Sequence, residues 1–166
     1  MNIPYKIVRG IILTESNGNQ YAWKVEPPYR YLVNVSTRQP FRTLTTEEID
    51  SEKAPKDFPY LHNISSRDTE WWGQQSSWGL MQVMGAVARE YGFKGAFPEL
   101  CSDVGSEYGE MHLSKLADRF LMSSGWDGVV AAYNAGSPRK KDGAYVNQIY
   151  VNQVQTNGEF SWSEFV

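Results

Sequence analysis

Five stretches of this chain carry apolar residues at helical spacing, and about fifty residues between the first two carry no such period. That division confines the chain to a mainly helical fold interrupted by an irregular insertion. The first stretch, Ile3 to Ser16, has Pro4 suited to a first turn. Ile7, Val8, Ile11 and Ile12 share one face, and Asn17-Gly18-Asn19 is a stop signal. The insertion covers about residues 21–75. Pro27-Pro28, Pro40, Pro55 and Pro59 punctuate short extended pieces such as Tyr31–Val35, and Thr45 to Ile49 predicts one capped helical turn. Long irregular segments in a small domain are often functional, for example as a wall or lid. From Ser76 the helical period resumes. Leu80, Val83, Met84, Val87, Ala88 and Tyr91 predict a buried helical stripe that ends at Gly92. Helices are also expected from Asp103 to about Leu121, over Trp126–Tyr133 with Asn134-Ala135-Gly136 closing it, and over Gly143–Gln155. The tail from Asn157 reads as a short docking segment.

One residue does not fit its stripe. At about 100° per residue, Glu15 falls near the middle of the apolar face of the first helix. Removing a carboxylate from water favours its neutral form, so a glutamate there must be paired, protonated or useful. A neutral glutamic acid in a half-dry site is what general acid catalysis needs. The alternative is a helix-end residue that reaches solvent or an arginine such as Arg9 or Arg119.

Composition removes several classes of function. The 166 residues suit a single domain over residues 1–166. A net charge of −3 argues against nucleic acid as a partner. The short run Arg139-Lys140-Lys141 reads as a solvated loop. One cysteine, Cys101, excludes an internal disulfide, and His62 and His112 offer no metal-ligand spacing, so neither metal nor cofactor is expected. His112 reads as a packed or surface residue. No apolar run is long enough for a membrane span, and the start of the chain lacks the pattern of a secretory signal. The six Trp and ten Tyr suit either a core or a groove that stacks on sugar rings.

Four short pieces carry chemistry when taken in order: Glu15-Ser16, Gly79-Leu80-Met81-Gln82-Val83-Met84, Ala132-Tyr133-Asn134-Ala135-Gly136 and Tyr150-Val151. Together they resemble the catalytic domain of lytic transglycosylases of the soluble-lytic-transglycosylase type, relatives of goose-type lysozyme. The resemblance runs from about Ile7 to Val154 and omits the insertion. It implies a lysozyme-like, mainly α (α+β) fold with a groove for peptidoglycan glycan strands. By that resemblance Glu15 is the catalytic acid, and Gly79, Gln82 and Met84 line the groove. Tyr133 and Asn134 form the Tyr-Asn pair near the acid, and Tyr150 is the tyrosine of the late Tyr-Val motif. Ser77, adjacent to the second motif, is counted with the groove residues. The chain departs from the family in the length between its first two motifs, about sixty residues where the family has a short gap. That long insertion is similar to those of certain phage and bacterial muramidase-like proteins.

The resemblance implies cleavage of the N-acetylmuramic acid–N-acetylglucosamine bond with formation of a 1,6-anhydro product, with Glu15 as both acid and base. A hydrolytic muramidase is the nearest alternative. With inversion it needs a second carboxylate roughly 6.5–9.5 Å from the first, and Glu26, Asp68 and Glu70 are candidates. A non-catalytic glycan-binding virion module is the remote alternative. The expected setting is the cell wall, reached by a monomeric phage endolysin or virion-associated lysin, with a bacterial wall-remodelling enzyme as the other source.

Overall fold

The computed structural model describes residues 2–26 and 29–165. Pro27 and Pro28, expected to punctuate the insertion, lie outside the described residues. In chain order the elements are α1 (Tyr5–Ser16), β1 (Trp23–Val25), β2 (Val33–Asn34), β3 (Gln39–Pro40), α2 (Thr46–Ile49), α3 (Arg67–Gln74) and β4 (Ser76–Trp78). There follow β5 (Val83–Met84), α4 (Gly85–Glu90), α5 (Asp103–Ala135), β6 (Lys140–Lys141), β7 (Ala144–Tyr145) and α6 (Gln148–Gly158). Short 3₁₀ turns cover Phe97–Cys101 and Trp162–Phe165. About half of the described residues are helical and the sheets are small and antiparallel, as the expected mainly α, lysozyme-like class requires.

The chain divides into two compact units. One is built from residues 2–18 and 109–165 and is almost wholly helical. Pro4 stands at the cap of α1, one position before the expected first turn, and its carbonyl accepts the amides of Ile7 and Val8. Ile7, Val8 and Ile11 are buried as the stripe predicts, whereas Ile12 is half-buried. Asn17 then takes a left-handed conformation and ends the helix. Gly10 lets α1 and α6 approach closely, because a Cβ there would meet the Val154 carbonyl at 2.3 Å. Residues Val129 to Ala132 of α5, with Leu113, Val151 and Val154, complete a fully buried core. Each fully buried Leu, Ile or Val is worth roughly 1.5–3 kcal/mol. The two stretches read separately over 103–133 are continuous apart from Gly125, whose φ of 66° and ψ of −179° interrupt α5.

The other unit spans residues 19–108. It holds a three-stranded sheet in the order β1-β4-β5, the β2-β3 hairpin, and α2, α3 and α4. Thr45 and Glu48 form the expected reciprocal cap on α2. Its core includes two clusters among the described residues. Leu32, Phe58 and Trp71 form one, and Ala88, Phe93, Phe97 and Leu100 the other.

Three expectations need correction. The helical stripe from Leu80 to Tyr91 is helix only from Gly85 to Glu90; Ser76–Trp78 and Val83–Met84 form a hairpin. Gly79 (φ 72°) and Gln82 (φ 48°) occupy the left-handed region, which a helix cannot pass through. The backbone of β4 is instead satisfied by β1, which pairs Trp23 with Trp78. The last helix begins at Gln148, not Gly143, because Asp142-Gly143 turns the β6-β7 hairpin with φ values of 53° and 84°. The insertion is also less irregular than expected, since Ser66 caps α3 within it.

Candidate active site

Glu15 lies in the last turn of α1, half-buried at the end of the apolar stripe. Its carboxylate accepts a 2.7 Å hydrogen bond from the Tyr150 hydroxyl, on the first turn of α6. The partner weighed from sequence, Arg9, pairs with Glu159 at 3.1 Å instead. Arg119 places its guanidinium over the Phe120 ring. Asn157 of α6 donates to the Thr14 hydroxyl at 3.0 Å, which fixes the register of the two helices beside the pair.

Burial and the facing Glu15 carboxylate push the Tyr150 phenol well above its ordinary value of 10, with a smaller contribution from Tyr133. The phenol therefore stays protonated and serves as a donor to Glu15. A neutral donor holds a carboxylate without the full charge of an arginine or lysine, so both protonation states of Glu15 find a partner in it. Tyr133, half-buried near the C-terminus of α5, has its ring 5.5 Å from that of His112. Burial pushes His112 down to about 4, so its imidazole is neutral at ordinary pH. Asn134 is exposed, and its side-chain carbonyl accepts from Asn147 at 2.9 Å. Its amide N–H₂ is a donor suited to N-acetyl carbonyls and sugar hydroxyls.

The residues from the Gly79–Met84 motif belong to the β4-β5 hairpin. Ser77 is buried, and its hydroxyl donates to the Gln82 carbonyl oxygen at 2.8 Å. The Gln82 amide donates in turn to the main-chain carbonyls of Ala22 (3.0 Å) and Gly79 (2.8 Å). Gly79 is packed so closely that a Cβ would meet the Leu100 carbonyl at 2.2 Å. Met84 is half-buried and lies opposite Ser77 in the ladder. Polar groups that the sequence offered to a ligand are thus engaged in bracing the turn.

The insertion carboxylates differ sharply. Glu70 is fully buried and forms a two-pronged pair with Arg89 at 2.8 and 3.0 Å, with Gln74 and Ser65 as further donors. It has no access to water and cannot activate one, so it drops out as a second carboxylate. Asp68 accepts the amide of Ala54, and Glu26 pairs with Lys24 at 2.9 Å. The Arg89 partnership escaped sequence reading; its signal is a lone arginine among apolar positions of α4, nineteen residues after Glu70.

The sequence profile of the family described as Transglycosylase SLT domain matches residues 1–149. The chain belongs to that family. Members of the SLT family are lytic transglycosylases that act on peptidoglycan. The matched span of this SLT domain includes Glu15, the β4-β5 hairpin and the Tyr133-Asn134 pair, and stops one residue before Tyr150. No curated protein and no solved structure matches the chain. Among the described residues no helix is long and apolar enough to cross a membrane.

Proposed function

We propose that this SLT domain cleaves the β-1,4 bond between N-acetylmuramic acid and N-acetylglucosamine and closes a 1,6-anhydro ring on the muramoyl residue. The observation that carries the reading is the Glu15 carboxyl, half-buried and held by the Tyr150 phenol at 2.7 Å. Glu15 donates its proton to the glycosidic oxygen as the C1–O bond breaks. The substrate's acetamido group stabilises C1, as the family resemblance implies, so no enzyme nucleophile is required. The ionised Glu15 then takes the proton of the muramoyl C6 hydroxyl, and that oxygen closes on C1. One proton leaves Glu15 and one returns, and no water is consumed.

In this reading Tyr150 fixes the carboxyl through both proton transfers, and Tyr133 and Asn134 contact the reacting sugar. Ser77, Gly79, Gln82 and Met84 act through the shape of a braced turn, Met84 by its apolar side chain. Hydrolysis with inversion is less well supported. Glu70 is sealed with Arg89, Asp68 holds a loop amide, and Glu26 is occupied by Lys24. Mass spectrometry of digested peptidoglycan tests the proposal. Anhydro-muropeptides are expected; products that carry reducing ends alone overturn it in favour of a muramidase.

A further inference from the structure

Three aromatic rings are stacked in the unit that contains the sheet, and the last of them is open to solvent. Phe97 is buried and locked: the absence of a side chain at Gly73 is what admits its ring, since a Cβ there would lie 2.1 Å away. Trp78 stacks on Phe97 with centroids 5.8 Å apart and planes 15° from parallel, and its indole N–H donates to the Gly73 carbonyl at 3.0 Å. Trp23, directly opposite Trp78 in the ladder, stacks on it at 5.9 Å and 18°. Even so, Trp23 is 59% exposed.

An indole left this open forfeits hydrophobic stabilisation, so its exposure is the informative observation. The ladder beneath it fixes the plane of the ring, and a fixed plane can bind a flat apolar face without losing side-chain freedom. The surroundings narrow the choice of ligand. The next residue along β1 is charged: Lys24 is paired with Glu26, just beyond the strand, at 2.9 Å. A nucleobase is disfavoured, because that lysine is already neutralised and the chain carries a net charge of −3. A β-linked pyranose fits, since it has one face of axial C–H groups and a polar rim.

We propose that Trp23, supported by Trp78 and Phe97, is a stacking platform for one pyranose ring of a β-1,4-linked N-acetylhexosamine strand. The inference rests on peptidoglycan as the substrate and adds a sugar-binding position that lies in the insertion, outside the four motifs. The probe is chitotetraose, a β-1,4-linked N-acetylglucosamine oligomer, added to the Glu15→Gln protein with its tryptophan indoles followed by NMR. The Trp23 resonance, identified by its absence from Trp23→Tyr, is expected to shift on titration. Trp23→Ala is expected to weaken binding about tenfold while Trp23→Tyr stays within roughly threefold, as a lost stacking contact requires. With Glu15 intact, Trp23→Ala raises KM on peptidoglycan and leaves kcat in place, and Trp23→Tyr restores KM. An unmoved Trp23 resonance, whether the saccharide binds elsewhere or not at all, overturns the platform. Equal affinity for Trp23→Ala and its parent does the same. If Glu15→Gln still cuts the wall while Trp23→Ala loses affinity, the catalytic assignment fails and the platform stands.

Discussion

Two of the glutamates on helices of this chain, Glu15 and Glu70, meet opposite fates. Glu15, at the end of α1, is half-buried and is held by a neutral phenol. Glu70, on α3, is sealed from water and gripped by the Arg89 guanidinium, whose cation also lies over the Phe93 and Phe97 rings at 5.0 and 4.3 Å. The same functional group is thus a candidate proton carrier in one place and a brace in the other. The difference lies in the partner. A guanidinium always stays charged and holds its carboxylate as an anion, whereas a phenol tolerates both states of the acid.

The comparison breaks first at Glu15. Glu15→Gln keeps the shape and the tyrosine contact but has no proton to give, so peptidoglycan turnover should fall by about 10²–10⁴ with the unfolding midpoint unchanged. Turnover that survives, followed by the clearing of a wall suspension, removes Glu15 from the mechanism. The converse test is Arg89→Met, which strands a buried charge. A loss of roughly 3–5 kcal/mol in denaturant unfolding is expected, and Glu70→Gln in the same chain should restore part of it. If Arg89→Met unfolds like its parent, Glu70 is not the brace described.

His112 sharpens the contrast through pH. Its folded value near 4 lies below the ordinary 6.5, so the unfolded chain binds the proton first as pH falls. The contribution is fully present above about pH 6.5 and is lost between there and pH 4, amounting to at most about 3 kcal/mol. His112→Leu should flatten that part of the stability–pH curve. An unchanged slope means that His112 is solvated and does not back Tyr133. The smallest effect belongs to Tyr150→Phe, which removes one hydrogen bond to Glu15. It should cost about 1 kcal/mol of transition-state stabilisation, roughly fivefold in kcat. A loss as large as that of Glu15→Gln would give Tyr150 a proton-transfer role of its own.

Much of this molecule was legible from spacing. The stripe of α1, its stop at Asn17, the break of α5 near Gly125 and the reciprocal cap of α2 all follow from local rules, and local rules act within a few residues. The misread segments are those whose partners are remote. Leu80 to Met84 keep a helical period, yet β4 is claimed by β1, more than fifty residues earlier, and the turn between β4 and β5 is braced by Gln82 reaching the Ala22 carbonyl. At Asp142-Gly143 the turn signal was present and the apolar period that follows it obscured it. The site shows the same division. Glu15 was conspicuous because it violated its own stripe, whereas Glu70 looked equally available until Arg89 was seen against it.

Sequence alone therefore determined that the chain is mainly helical, that Glu15 stands where an apolar helix face ends, and that the chain belongs to the SLT family. Those properties are written in the periodicity and order of neighbouring residues. Tertiary structure alone decided which carboxylate meets a phenol and which an arginine, which amides brace a turn, and which indole stays uncovered. Such choices depend on what is brought within 3 or 4 Å across long stretches of chain, where partner and burial set whether a group keeps its proton.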